Sequence, residues 1–156
     1  MVFEFVIATL FFLAIVAYVI TNMNNSVFMH SREHQMNMLE IKAWQVSEAL
    51  VTREGVWTGG VPQEIGLAQD WPVLSDDKIN DLDNWCGANM DEMLVMLDVD
   101  PLLNGVELEI SRYTGPGEEM LLDCGNVPGG RPSAEITRFA VKSSDNNMLR
   151  VNVRYW

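Results

Sequence analysis

The chain has 156 residues, enough for one domain plus an accessory element, and its apolar content of 48% supports a packed core. The formal net charge is −12, from 22 acidic and 10 basic residues. Binding to nucleic acid phosphates needs Lys and Arg, so this balance argues against nucleic acid as a partner.

The chain begins with an apolar segment that has one acidic residue near its start. Glu4 is followed by an uncharged run at 5–20, in which Thr9 is the only polar residue. Such a run forms about 24 Å of helix, slightly short of the ~30 Å hydrocarbon core of a bilayer. An ionisable residue there costs roughly 3 kcal/mol or more unless it has a partner. A secretory signal peptide would start with Lys or Arg and end at a small-residue cleavage site, and both features are missing. We expect either an unusual anchor or a mature chain whose basic leader has been removed.

A long helix is predicted for the N-terminal third of the chain. No Gly or Pro precedes Gly55, so we expect one nearly continuous helix over 1–54. Its second half, 27–51, has a loose 3.6-residue period, which indicates an amphipathic segment. The Asn and Ser residues at 22–26 compete for backbone hydrogen bonds, so any distortion should occur there. Asn24 also begins an N-glycosylation sequon and is a possible glycosylation site.

Residues 55–156 are predicted to form a small globular head that contains both helices and strands. Short helices are predicted at 76–83 and 89–97, with Ser75 and Asn89 as N-caps before acidic first turns. Strands are predicted at 106–112, 119–123, 134–142 and 147–155, and the last two should form an antiparallel hairpin. The predicted fold class is therefore α+β, with a long N-terminal helix before a head that has an antiparallel sheet of about four strands.

The two cysteines, Cys86 and Cys124, are the only pair in the chain. In an exported protein a single pair fits one disulfide, with two buried free thiols as the alternative.

Two patterns resemble metal-binding motifs. His30, Glu33 and His34 match the H-x-x-E-H metalloprotease pattern, and two His four residues apart can share a zinc ion. No downstream Glu ligand is evident, so we favour an exposed pair of histidines. The segment 98–105 has a faint calcium-loop character, but it lacks the ligand spacing and the distal Glu, and Pro101 favours a turn.

The rest of the sequence shows no pattern typical of a catalytic or phosphate-binding site. The acidic segment 70–100 is interpreted as a solvated outer face, and the chain has no Gly-rich phosphate loop. No Ser or Cys is paired with a His in a recognisable catalytic setting. We therefore predict no enzyme, no catalytic residue, no metal ion and no cofactor.

Glu4, the apolar run at 5–20 and the small polar head that follows the helix together resemble the type IV pilin superfamily. In that family a prepilin peptidase removes a short basic leader. The glutamate near the new N-terminus is then proposed to pair with the free amino group of a neighbouring subunit. The glutamate usually occupies the fifth mature position there, whereas here it is the fourth residue.

The head resembles archaeal pilin-like proteins with class III signal peptides. The similarity lies in Gly60-Val-Pro62, in the segments 65–68 and 73–79, and in the aromatic end of 151–156. Archaellins usually begin with a stretch richer in Ala, Gly and Val, so the resemblance favours a pilus.

The resemblance implies a homo-oligomeric extracellular filament for adhesion or cell-surface contact. Helices would form its core and heads its outer sheath. The implied partners are other copies of the chain, the prepilin peptidase, the pilus assembly machinery and the cytoplasmic membrane before assembly. The alternative is a membrane-anchored pseudopilin, a minor pilin or a single-pass surface protein outside the main filament. The residues expected to act in assembly are Glu4, Phe5, Phe11, Phe12, Ile15 and Ile20.

Overall fold

The computed structural model describes residues 2–114, 117–126 and 129–156, without the side chains at positions 2, 24, 25, 27 and 28. The predicted α+β class is confirmed. The elements in chain order are α1 (Val2–Thr52), β1 (Val56–Thr58), β2 (Val61–Glu64), β3 (Ala68–Asp70), β4 (Val73–Leu74), α2 (Asp76–Cys86), α3 (Met90–Met96), β5 (Val106–Tyr113), β6 (Glu118–Gly125), β7 (Ala134–Lys142) and β8 (Met148–Tyr155).

The N-terminal helix α1 runs for 51 residues, and the Asn- and Ser-rich segment at 22–26 does not interrupt it. It ends at Thr52, shortly before Gly55. Gly55 has a φ of +65°, and a Cβ there would lie 2.6 Å from the carbonyl oxygen of Glu64. A residue with a side chain would therefore be strained and would also clash, which is why the helix gives way to a turn at a glycine.

The chain divides into two compact units, one up to Asn37 and one from Met38 to Trp156. The predicted domain boundary between residues 54 and 55 follows the end of the helix. The boundary between the compact units falls inside α1 instead, because the last turns of α1 pack in the core of the second unit. These turns bury one face of the helix, at the spacing of three and four residues expected for a helix packed on one side: Ala43, Val46, Ser47, Leu50 and Val51.

The main sheet has six strands in the order β3-β4-β7-β8-β5-β6, so the predicted number of about four is wrong. The four predicted strands are present, and β7 and β8 form the expected antiparallel hairpin. The two additional strands, β3 and β4, have three and two residues, too few for an alternating pattern to be detected. β4 pairs with β7 in parallel, so the sheet is mixed. β1 and β2 form a separate two-stranded ribbon.

The core lies between one face of the sheet and the helices. Alternate residues of the central strands point into it, including Leu108, Ile110, Val151 and Val153. Ser75 and Asn89 occupy the N-cap positions of α2 and α3 as predicted, although neither side chain makes a capping hydrogen bond.

Candidate functional site

The first candidate site is the apolar surface of α1 between Phe3 and Met23. This segment of 21 residues has a mean hydropathy of 2.5, and none of it is buried. By length and composition this segment could cross a membrane. A signal sequence near an N-terminus has the same length and composition. Monomeric soluble proteins rarely expose contiguous apolar patches larger than a few hundred Å². The segment is therefore a candidate membrane span or signal sequence.

All five apolar residues predicted to act in assembly are exposed on this surface, from 73% for Phe5 to 53% for Ile20. Phe5 and Phe12 are seven residues apart and share a face, whereas Phe11 and Ile15 lie on another. The apolar residues thus surround the helix and do not form a single stripe. A helix that is apolar on all sides is typical of a membrane span or of a large buried core.

Glu4 is exposed and lies in the first turn of α1. A carboxylate in the first turn is favoured by the positive end of the helix dipole.

The apolar segment also contains two threonines whose hydroxyl groups bond to the backbone of the same helix. The Thr9 Oγ1 donates to the Phe5 carbonyl and the Thr21 Oγ1 to the Ala17 carbonyl, both at 2.8 Å. These hydroxyls need no water, so they suit an apolar environment.

A second cluster, which the sequence did not reveal, joins α1 to the sheet within the head. Arg138 of β7 points to the inner face of the sheet, where its Nε donates to the Ser47 Oγ at 2.9 Å. Its Nη2 forms an ion pair with Glu48 at 2.7 Å, although the angles do not meet hydrogen-bond geometry. The guanidinium also lies 5.1 Å from the centroid of the Trp44 ring. One side chain of β7 thus contacts three residues of α1.

The opposite face of the sheet carries a charged network centred on Arg154 of β8. The register places Arg154 between Glu107 of β5 and Glu135 of β7. Its Nη1 forms an ion pair with Glu107, and its Nη2 lies 3.0 Å from the Glu135 Oε2. Opposite charges on directly facing strands stabilise the register of a sheet.

An amide extends this network by one row. The Asn152 Nδ2 donates to Glu135 at 2.8 Å and to Glu109 at 3.3 Å. The Asn152 Oδ1 accepts a hydrogen bond from the Thr137 Oγ1 at 3.0 Å. The side chains of the central strands on this face are therefore held in place by neighbours on both sides.

The two glutamates beside Arg154 have opposite pKa shifts. Burial raises the pKa of Glu107, and the nearby carboxylates of Glu109 and Asp123 raise it further, against the lowering effect of Arg154. Hydrogen bonds from Asn152 and Arg154 lower the pKa of Glu135. The difference arises because desolvation disfavours a charged carboxyl group, whereas donated hydrogen bonds favour it.

The histidines, cysteines and the sequon asparagine noted in the sequence lie apart from one another and do not form a common site. The His30 Nδ1 lies 3.8 Å from the Glu33 carboxylate on an exposed part of α1. Among the described residues, no three His, Cys, Asp or Glu side chains are grouped so that they could hold a metal ion. Cys86 of α2 and Cys124 of β6 are joined in a disulfide in the structure. Asn24 lies within α1, but its side chain is outside the described part of the chain.

Comparison of the chain with protein-family models, with curated proteins and with solved structures gave no match. The description of the site therefore rests on the chemistry and geometry of the residues themselves.

Proposed function

We propose that this chain is a structural subunit of an extracellular type IV-like filament and acts in adhesion or cell-surface contact. The observation that carries the proposal is the apolar surface of α1 between Phe3 and Met23, none of which is buried. In the filament this segment packs against the same segment of other copies, and the heads form the outer sheath. The role is structural and not enzymatic.

Burial of the apolar segment supplies the driving force for assembly. Full burial of a Phe or Ile side chain contributes about 1.5–3 kcal/mol, and this surface carries several such residues on every side of the helix. Contact with a single partner helix would cover only one stripe of that surface. Helices on all sides, as in a filament core, cover the remainder, and lipid does so before assembly.

Glu4 is proposed to set the register of the packed helices. In an apolar core its carboxylate is compensated by the free N-terminal amine of its own or a neighbouring subunit. The chief consequence is specificity rather than stability, because an axial slip that separates two buried opposite charges is strongly penalised. A single buried polar group fixes register in coiled coils by the same principle.

The test compares Glu4→Ala and Glu4→Gln with the matched control Glu40→Ala, which removes an exposed carboxylate further along α1. All three variants should reach the membrane, because the apolar run is unchanged. We expect both Glu4 variants to produce few filaments by electron microscopy, and Glu40→Ala to produce the wild-type number. Filaments in normal number and with unchanged helical symmetry in Glu4→Ala would show that the register role is wrong.

The second candidate is a membrane-anchored pseudopilin, a minor pilin or a single-pass surface protein. It is favoured by the same 21-residue segment, whose length and hydropathy fit a membrane span. Electron microscopy of surface filaments, with mass spectrometry of their subunits, separates the two. Under the filament proposal this chain is a major component of the filaments. Retention of the chain in the membrane fraction, with none in filaments, supports the alternative.

A further inference from the structure

A groove of about 510 Å³ lies on the head, between the start of α3, the turn before β5 and the C-terminal residue. Four polar side chains from separate parts of the chain line it: Asp91, Asn104, Asn126 and Arg131. Trp156 adds an aromatic ring to the lining. A concave site with a few convergent polar groups is the usual form of a small-molecule binding site. We refer to the groove formed by these five residues as the polar groove.

The polar side chains of this groove are not used to hold the head together. Within residues 2–114, 117–126 and 129–156, the four polar side chains make no hydrogen bond and no ion pair, and the Trp156 Nε1–H has no acceptor. Polar side chains on the outer face of the sheet behave differently, since they bond to one another, as Asn152 does to Glu135. The polar groove therefore offers donors and acceptors that a ligand can engage without breaking a contact of the head.

The aromatic wall of the groove is fixed by the backbone. Gly105 and Trp156 exchange two backbone hydrogen bonds of 3.0 and 3.2 Å. A Cβ on Gly105 would lie 2.4 Å from the Trp156 ring, so the indole packs directly on the glycine backbone. A ring that is held in place before binding loses little conformational entropy when a ligand covers it.

The amide of Asn104 projects from a turn that is also well defined. The Asp100 carbonyl accepts hydrogen bonds from the N–H groups of Leu103 and Asn104, at 3.2 and 2.9 Å. The Asp100 Oδ1 accepts from the Leu102 N–H at 3.0 Å, and Pro101 restricts the backbone at the start of the turn. The backbone that carries the Asn104 amide is thus ordered before a ligand arrives.

We propose that the polar groove binds a neutral oligosaccharide. A sugar hydroxyl both donates and accepts hydrogen bonds, and a carboxamide offers the same two functions, so Asn104 and Asn126 match hydroxyl groups. The Asp91 carboxylate accepts, and the Arg131 guanidinium donates, through two neighbouring atoms, which suits two adjacent hydroxyl groups. The C–H face of a sugar ring is apolar and lies well on an indole ring. The proposal goes beyond the filament role and holds whether or not the chain forms filaments.

The charges of the groove favour a neutral ligand over an ionic one. Asp91 and Arg131 cancel, Asp100 adds a negative charge at the turn, and the whole chain has a net charge of −12, so an anion gains little here. No group of three His, Cys, Asp or Glu side chains that could hold a metal ion exists among the described residues. An apolar ligand would bury the charges of Asp91 and Arg131 without partners, which is unfavourable. A ligand rich in hydroxyl groups avoids each of these costs.

The first experiment identifies the ligand class with the full chain, kept in a detergent that has no sugar headgroup. The probes are immobilised oligosaccharides that end in mannose, glucose or galactose, beside sialylated and sulfated oligosaccharides. We expect binding to at least one neutral series and weaker binding to the acidic ones. Failure to bind any neutral series, or a preference for the acidic probes, would overturn the proposal. Displacement of the bound oligosaccharide by triglycine would do so too, because the groove would then recognise a pair of opposite charges.

The second experiment measures the affinity of groove variants for the best neutral probe. Asn104→Ala and Asn126→Ala should each raise the dissociation constant about fivefold, because each removes hydrogen bonds to the ligand. Asn80→Ala is the matched control, since Asn80 is an exposed asparagine of α2 outside the groove. Thermal unfolding of each variant checks that the head is intact. Equal affinities for all three variants would contradict the assigned site.

A third comparison tests the carboxylate in the same assay. Asp91→Ala should weaken binding about tenfold, because hydrogen bonds to a charged group are stronger than neutral ones. Asp77→Ala is the matched control: Asp77 lies in the first turn of α2, as Asp91 does in α3, so both changes affect a helix start alike. Loss of binding in both variants, or in neither, would mean that Asp91 does not contact the ligand.

The aromatic wall and the independence from the filament proposal are tested last. Trp156→Phe keeps a ring for the sugar to lie on and should stay within about threefold of wild type, whereas Trp156→Leu should lose about tenfold. Equal affinities in these two variants would refute the stacking. None of the groove variants touches the apolar segment of α1, so filaments of Asn126→Ala should form in wild-type number. Glu4→Ala chains that still bind the oligosaccharide but form normal filaments would refute the register role alone.

Discussion

The guanidinium of Arg138 lies 5.1 Å from the centroid of the Trp44 ring, so a sheet residue covers an aromatic ring of the N-terminal helix. Arg138 also contacts Ser47 and Glu48, so the contact covers about one turn of α1. The contact is therefore a suitable place to test how firmly the helix is held in the head.

Arg138→Ala should destabilise the head by about 2 kcal/mol, since it removes a hydrogen bond, an ion pair and a cation–π contact together. Arg138→Lys keeps the charge but loses the planar group, and it should fall between wild type and Arg138→Ala. Arg53→Ala is the matched control, because Arg53 lies 3.8 Å from Glu64 in an exposed pair. That change should cost less than about 0.5 kcal/mol in urea unfolding. Equal losses for Arg138→Ala and Arg53→Ala would mean that the contact with α1 adds nothing.

Loss of the disulfide should destabilise the head by about 3–4 kcal/mol in the chain-entropy account. Cys86 and Cys124 are 38 residues apart, so the bond closes a long loop between α2 and β6. The measurement is thermal unfolding of the double Cys→Ala variant beside the wild-type chain with and without reductant. The reduced wild type and the variant should unfold at similar temperatures. Two free thiols in native protein by mass spectrometry would refute the bond itself.

Glu107→Gln and Glu135→Gln should change stability with pH in opposite directions. The pKa of Glu107 is raised above the ordinary 4.5, so wild-type protein loses stability as pH rises from about that value. Glu107→Gln lacks this loss, and its stability relative to wild type should improve between about pH 4 and pH 7.

For Glu135 the pKa is lowered from 4.5, so its contribution is fully present above that value and is lost as pH falls through the lowered pKa. Glu135→Gln should therefore be less stable than wild type at pH 7, with the gap closing towards pH 3. Urea unfolding at several pH values measures both trends. Parallel trends for the two variants would show that the opposite pKa shifts are wrong.

Gly55→Ala should destabilise the head by more than about 2 kcal/mol. The position has a φ of +65°, and a Cβ would lie 2.6 Å from the Glu64 carbonyl oxygen, so strain and a backbone clash add together. Gly87→Ala is the matched control. Gly87 has a right-handed φ of −60°, and a Cβ there has no atom within 4 Å. It should be neutral or stabilising by up to about 1 kcal/mol in thermal unfolding. A tolerated alanine at position 55 would contradict the account of how α1 ends.

Local sequence patterns predicted the three helices and the four long strands of this chain. The absence of Gly and Pro before Gly55 indicated a single long helix, and α1 ends at Thr52. The four long strands, β5 to β8, were predicted, and β7 and β8 were supported by partial alternation of apolar and polar residues. These features depend on neighbouring residues alone, through backbone conformation and the periods of 3.6 and 2. The four strands that were missed, β1 to β4, have two to four residues each and are too short to show a period.

The sequence by itself determined the long apolar helix, the α+β class and the hairpin of β7 and β8, because each follows from residues close together in the chain. Only the tertiary structure decided which distant residues meet. Ser47 and Arg138 are 91 residues apart, and Asp91 and Arg131 share a groove with Trp156 at the end of the chain. β4 joins β7 in parallel, with Val73 paired to Val141, 68 residues further along the chain. Such contacts depend on how the whole sheet closes over the helices, and no local pattern records that choice.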